Sequence, residues 1–392
     1  MQPLTSQRVA HFGETVFAVY TRLAQEHGAV NLGQGFPDFD PPELIMNAYR
    51  RAAAGYQQYA PLPGMPALTG AVARVKGSAL NRTLDPVSNV QITVGATEGL
   101  FAACQALINP GDEVVLLEPF YDAYPADVHM AGGAPRYVPL LPQRDGSWQL
   151  DVNELRKAFS NRTKAVILNT PHNPTGKVFS AEELDSVITL AEEYGAVIIS
   201  DEAYEHIAFT PHLSPVGRPG GWERTLSVSS IGKTFSVTGW KVGYVVGPEP
   251  LVEAVRRAHQ WIPYTVATPL QVAAAAALEA TQQPGDTYFT ELRQTFLNKH
   301  DLLLEALTPT PFEPYQAQGG YFVLADSSAL GYPDDVALCK ALPERCGVGA
   351  IPPSAFYSEA HRSLAKGLVR FAFCKSDAAL QEAGRRLTSL AT

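Results

Sequence analysis

The chain is poor in charge, poor in cysteine and without a long apolar run. Charged residues make up 18% of its 392 residues, and acids outnumber bases by 39 to 30. The resulting formal charge of −9 offers no attraction to nucleic acid or to an anionic membrane, so neither is expected as a partner. Four cysteines, Cys104, Cys339, Cys346 and Cys374, are scattered without C-x-x-C spacing. That excludes a disulfide framework and a thiolate metal site as expectations, and it fits reduced thiols in a cytoplasm. No H-E-x-x-H occurs either, and no metal is expected. The most apolar stretch, VAAAAALEA at 272–280, is far too short to span a bilayer. The first residues, MQPLTSQRVAHFGETVF, lack a basic segment ahead of an apolar core, so no signal peptide is expected.

Three familiar signatures are also missing. IGKT at 231–234 would need a further glycine five residues before Gly232 to be an NTPase phosphate loop, and that position holds Ser227. GATEGL does not supply the G-x-G-x-x-G of a dinucleotide fold, and no G-x-S-x-G marks a serine hydrolase.

What is there is a repeated alternation of short β-branched runs with helical stretches. VQITV precedes TEGLFAACQALI, EVVLL precedes EPFYDAYPADVHMAG, KAVILN precedes SAEELDSVITLAEEYG, and AVIIS precedes DEAYEHI. This predicts an α/β fold with a mainly parallel sheet covered by helices on both faces. The length exceeds one core, which predicts a large domain over 46–285. Residues 1–45, rich in Pro and Gly, read as a terminal arm. After QQPGD comes a long charged helix, TYFTELRQTFLNKHDLLLEAL, then the strand-like GGYFVLA and LVRFAF. A smaller α+β domain over 286–392, with the arm returning to it, is expected.

In such a sheet, ligands sit beyond the carboxyl ends of the strands. There the chain places Gly95, Ala96 and Thr97 opening a helix, Tyr121, Asn169 and Asn173, Asp201 and Tyr204, and Ser230 with Lys233. Each group alone has a structural explanation as a cap, a turn or a packed aromatic. Their convergence on one rim points to a site. Lys233 lies between Gly232 and Thr234 at a strand end, a setting whose desolvation lowers an amine's pKa and makes it a nucleophile. An aldehyde cofactor with a phosphate tail, a pyridine nitrogen and a phenolic oxygen would use the other groups, and pyridoxal 5′-phosphate is such a cofactor.

The order NLGQGFPDF, GATEGL, NTPHNPTGK, SDEAY, SSIGKTFSVTGWKVGYVVGP and LVRFAF resembles the class I pyridoxal-phosphate aminotransferases of fold type I, from about residue 8 to residue 385. Within them it looks most like the kynurenine aminotransferase, glutamine transaminase K and methionine aminotransferase subgroup. The resemblance implies a seven-stranded type of sheet and a homodimer with shared active sites. It implies that Lys233 bonds the cofactor covalently and later carries the proton, that Asp201 pairs with the ring nitrogen, and that Tyr204 and Asn173 hydrogen-bond the phenolic oxygen. Tyr121 would stack on the ring and Asn169 border it. Ala96, Thr97, Ser230 and Lys241 would hold the phosphate, joined by Tyr59 of the other subunit. Arg370 would take the substrate α-carboxylate, with Gly35 and Asn173 beside it. Strand alternation independently puts Arg370 on a face with Leu368 and Ala372, where it needs an anion; a structural salt bridge is the other reading.

The departures lie in the substrate pocket. Val266 and Ala267 stand where some kynurenine-type relatives carry an aromatic and a histidine, and Phe17 stands where they often have Trp. Phe17, Tyr121 and Tyr264 could still make an apolar wall, and no second arginine is evident for an acidic side chain. The expected activity is ping-pong transamination from a non-acidic L-amino acid such as methionine, glutamine, an aromatic or kynurenine to a 2-oxo acid. A cysteine-conjugate carbon–sulfur β-lyase and an N-succinyldiaminopimelate aminotransferase are the alternatives. A binding-only regulator would need a DNA-binding module, which these residues do not supply.

Overall fold

A computed structural model describes residues 4–10, 12–143 and 145–391. Helix α1 (Val16–Glu26) starts at Thr15, whose hydroxyl accepts the Ala18 N–H at 3.2 Å. Strand β1 (Val30–Asn31), helix α2 (Glu43–Ala53) and helix α3 (Pro66–Leu80) follow. The alternating region then runs β2 (Val90–Thr93), α4 (Gly95–Leu107), β3 (Glu113–Glu118), α5 (Ala123–Met130), β4 (Ala134–Pro142), β5 (Trp148–Leu150), β6 (Thr163–Asn169), β7 (Val197–Asp201), β8 (Thr225–Ser230) and β9 (Gly243–Val246). Four short strands close the chain: β10 (Glu313–Pro314), β11 (Phe322–Asp326), β12 (Val348–Gly349) and β13 (Leu368–Ala372).

The main sheet has the order β2-β9-β8-β7-β6-β3-β4-β5. Strands β8, β7, β6, β3 and β4 pair in parallel, while β9 runs antiparallel to both of its neighbours. Seven strands make the expected sheet, and the eighth, β5, is a three-residue antiparallel addition at the edge. Every residue of β2, β3, β8 and β9 is buried, which explains why these runs read as continuously apolar or small rather than alternating. The helix Ala181–Glu193 begins at a reciprocal cap between Ser180 and Glu183, as SAEE suggests.

Two sequence-based expectations change. DEAYEHI is a run of turns, because Asp201 Oδ1 takes the Ala203 N–H at 3.0 Å and the Glu202 N–H goes to Val228 O at 2.7 Å, which directs the backbone away from a helix. The first 45 residues are more than an arm: α1 buries Tyr20 and Ala24, and β1 pairs in parallel with β12. One apolar cluster joins Tyr20 and Leu32 to Phe296, Val369 and Leu380, so both ends of the chain do share a core. None of the described helices is long and apolar enough to cross a membrane.

Candidate active site

Register fixes the neighbours at the rim. Asn169 of β6 pairs with Asp201 of β7, and Asp201 with Val228 of β8. Their carboxyl ends, with that of β2, enclose a cavity of about 160 Å³. Ala96, Thr97, Tyr121, Asn169, Asn173, Asp201, Tyr204, Ser230, Lys233 and Lys241 all line it, so ten of the rim residues read from sequence meet at one place.

At one end lies the start of α4, whose free backbone N–H groups and dipole suit an anion. The helix can approach β9 closely only because position 243 is glycine: a Cβ there would lie 2.6 Å from Gly95 C and 2.7 Å from Ala96 N. Lys241 holds a left-handed conformation with φ 52°, and its ammonium donates to Thr97 Oγ1 at 3.1 Å. Burial lowers the pKa of Lys241, so an anion beside it would be welcome.

At the other end, Asp201 is buried. Its Oδ2 accepts from Tyr124 Oη at 2.7 Å, and Asn169 Nδ2 donates to its carbonyl at 2.9 Å. Burial raises the carboxyl pKa, with the Tyr124 hydrogen bond opposing it. Asp201 enters no ion pair among the described residues, so a cation at this end of the cavity would relieve an uncompensated buried charge.

Between the two ends stands Lys233, in the short helix Ile231–Thr234. Its Nζ donates to Tyr321 Oη and, at 3.3 Å, to Gly35 O. Burial pulls its pKa down to about 8 from the ordinary 10.5. Its free-amine population at neutral pH, about a tenth, is therefore hundreds of times that of an ordinary lysine.

Arg370, Gly35 and Phe17 do not line this cavity but adjoin it. Arg370 is 0% exposed; it donates through Nη2 to Gly33 O at 2.7 Å and through Nη1 to Asn173 Oδ1 at 3.4 Å, while its Nε has no partner. Aromatic faces surround it, with Phe322, Phe356 and Phe17 at 4.2, 5.1 and 5.2 Å from its guanidinium carbon. Burial brings its pKa down to about 10, which still leaves a cation at neutral pH. No carboxylate pairs with it among the described residues, so the salt-bridge reading fails. Gly35 admits no side chain, since a Cβ would stand 2.5 Å from the Phe322 ring.

Tyr59 lies outside the cavity of its own chain, 83% exposed, with its ring edge-on to Tyr264 at 5.7 Å. Tyr264 therefore forms no wall with Phe17 and Tyr121 within one chain. Sequence reasoning missed Tyr124 and Tyr321. Tyr124 falls three residues after Tyr121 in FYDAY, one helical turn away, which was the available signal. Tyr321 in GGYFVLA carried none, because only the tertiary fold brings it to Lys233.

These groups fit pyridoxal phosphate: an anion cradle, a buried acid awaiting a cation, and a depressed amine. The fold and the site define a pyridoxal-phosphate enzyme of fold type I. The chain belongs to the family of class I and II aminotransferases, whose family model matches residues 27–387. It is 39% identical to a kynurenine–oxoglutarate transaminase of Dictyostelium discoideum, over 98% of this chain and 96% of that protein. Among solved structures, N-succinyldiaminopimelate aminotransferase from Mycobacterium tuberculosis superposes with a TM-score of 0.94 at 44% identity, covering 98% of this chain and all of that one. YbdL from Escherichia coli, identified with a methionine aminotransferase function, gives 0.93 at 37%, covering 99% and 100%. The protein is thus an aminotransferase that uses pyridoxal phosphate.

Proposed function

We propose that the amino donor is a non-acidic L-amino acid, such as methionine, glutamine, an aromatic amino acid or kynurenine, and that the acceptor is a 2-oxo acid served by the same site in a ping-pong cycle. One observation carries this reading: a buried guanidinium with no ion-pair partner among the described residues, walled by Phe17, Phe322 and Phe356 and bonded to Asn173 of the cavity. Arg370 would bind the α-carboxylate by its two-pronged fork, and the aromatic wall would favour an apolar side chain.

Bound in the cavity, pyridoxal phosphate supplies an aldehyde for the amino group and a ring that delocalises the charge left on the substrate α-carbon. Lys233 would hold the cofactor covalently, then move the proton between the substrate α-carbon and the cofactor's C4′. Asp201 would keep the ring nitrogen protonated, with Tyr124 orienting its carboxylate. Tyr204 and Asn173 would face the phenolic oxygen, and Tyr121 the ring. Asn169 uses both side-chain atoms on backbone, accepting Asn173 N at 2.6 Å, so it would shape the pocket rather than contact the ring by a spare hydrogen bond. Ala96, Thr97, Ser230 and Lys241 would hold the phosphate, and Gly35 would border the substrate.

A homodimer is part of the same proposal. Tyr56, Tyr59, Trp261, Ile262 and Tyr264 form an exposed apolar group that a second copy could cover, with Tyr59 reaching the partner's phosphate site. So is the division into a cofactor domain over 46–285 and a small domain of 1–45 plus 286–392, which the apolar cluster joining Tyr20 and Leu32 to Phe296, Val369 and Leu380 supports. A cytoplasmic setting is supported by four free cysteines, three of them buried.

A panel of donors with a common oxo acid tests the reading. Methionine, glutamine, phenylalanine and kynurenine should each exceed aspartate by at least about tenfold in kcat/KM, about the discrimination one mismatched group brings; aspartate as best donor would refute it. The 44% identity to the mycobacterial enzyme makes N-succinyldiaminopimelate the second substrate to include. Pyruvate and ammonia from a cysteine conjugate, without amino transfer, would instead indicate β-lyase activity.

A further inference from the structure

The turn 201–206 has two faces. Asp201, Ala203 and Tyr204 line the cavity, whereas Glu202, Glu205 and His206 point to the rear. Behind them lies Lys76 of α3, only 2% exposed, with its ammonium 2.6 Å from Glu202 Oε2 and bonded also to Glu205 Oε2. Glu202 further accepts from Ser214 Oγ at 2.7 Å, and Glu205 from Tyr244 Oη at 2.8 Å and from Ser229 Oγ. His206 Nδ1 meets Thr234 Oγ1 at 2.9 Å, one residue past Lys233, and its ring stacks on Phe289 at 4.3 Å.

We infer that Lys76 is a positioning residue for the cofactor site: its ion pairs with Glu202 and Glu205 clamp the rear of the turn whose front presents Asp201 and Tyr204. The alternation explains why a turn that is not a helix can hold two site residues rigidly. Together the rear side chains are tied to α3, β8, β9 and the helix of Lys233. Burial opposes the charge on Lys76, but the two carboxylates outweigh it and hold the ammonium charged. Two carboxylates sharing one ammonium leave the cluster one negative charge in excess, so removing Lys76 both loosens the turn and adds negative potential behind Asp201.

The inference rests on the reading of Asp201 as the partner of the ring nitrogen. It is tested on the holoenzyme with Lys76→Met, by equilibrium dialysis of pyridoxal phosphate and by the pH midpoint of the bound cofactor's absorbance. Affinity should fall by roughly 10- to 100-fold, as when outer-shell partners of metal ligands are removed. The midpoint should rise by at least about half a pH unit, because added negative potential favours the protonated form. Should Lys76→Met not fold, K76M/E205Q keeps the net charge without the clamp, and the same loss of affinity is expected. Glu113→Gln is the control. It disturbs a buried carboxylate paired with exposed arginines at the amino ends of the strands, where Glu113 accepts from Arg136 Nη2 at 2.8 Å and Ser160 Oγ at 2.6 Å. It should leave the midpoint in place. Unchanged affinity and midpoint in a folded Lys76 variant, or an equal shift in Glu113→Gln, overturns the inference. Asp201→Asn separates the two readings: if it changes both quantities and Lys76→Met changes neither, only the clamp fails.

Discussion

Replacing Lys233 with alanine should yield a folded protein that still binds pyridoxal phosphate but cannot hold it covalently, with turnover reduced by at least about a thousandfold. General acid–base work alone is worth roughly 10²–10⁴, and Lys233 also provides the covalent link. Retention of the cofactor is expected because the anion cradle, Asp201 and Tyr204 remain in the cavity. Lys241→Ala should do the reverse, preserving the covalent link at saturating cofactor while weakening affinity, since its ammonium sits on Thr97 at the cradle. The same lysine gives a pH signature. With its pKa lowered to about 8, the rate of cofactor capture by the apoprotein should rise through pH 7 and level off above about 8. An ordinary lysine would keep gaining free amine toward 10.5. Stopped-flow absorbance after gel filtration measures both behaviours. Full turnover in Lys233→Ala would remove this residue from the chemistry.

Arg370 should give the second large effect, and with an unusual signature. Arg370→Met should reduce kcat/KM for every amino donor by about 30-fold or more, since losing one partner of a buried hydrogen-bonded charge pair costs 2–5 kcal/mol and 1.4 kcal/mol is tenfold. Its stability should not suffer in proportion. In the substrate-free protein the guanidinium is buried, with no carboxylate in ion-pair contact among the described residues and an unpartnered Nε, so an apolar side chain of similar length removes a charge that the fold does not pair directly. The apoprotein should melt no lower than the unmodified one, and it should still bind pyridoxal phosphate because Arg370 does not line the cavity. Steady-state kinetics and a melting scan decide it. A large loss of stability with unchanged kcat/KM would assign Arg370 to structure.

How much of this could be read in the chain follows from range. The strands VQITV, KAVILN, AVIIS and TLSVSS announce themselves by local composition, and their ends carry Thr97, Asn169, Asp201 and Lys233 wherever the sheet forms. Arg370 was legible as a lone charge in the apolar run LVRFAF, although β13 is buried at every residue rather than alternating and the cage of Phe17, Phe322 and Phe356 comes from three distant segments. Tyr321 and Lys76 were not legible. Lys76 in VARVKGSAL reads as one more helical lysine, and only the tertiary fold brings the turn after β7, with Glu202 and Glu205, to it. DEAYEHI misled for a related reason: its residues tolerate a helix, but the Asp201 carboxylate and the Val228 carbonyl capture its first N–H groups. Tyr59 shows the limit of a single chain, since its own cavity lies elsewhere.

The most direct test of the central claim is a half-reaction. Holoenzyme is mixed with excess L-methionine and no oxo acid, and the absorbance spectrum and the masses of cofactor and product are followed. The account predicts loss of the yellow band, one equivalent of the 2-oxo acid per site, the aminated cofactor, and full recovery of the band on adding an oxo acid. An unchanged spectrum across the donor panel, or release of ammonia in place of amino transfer, would contradict it.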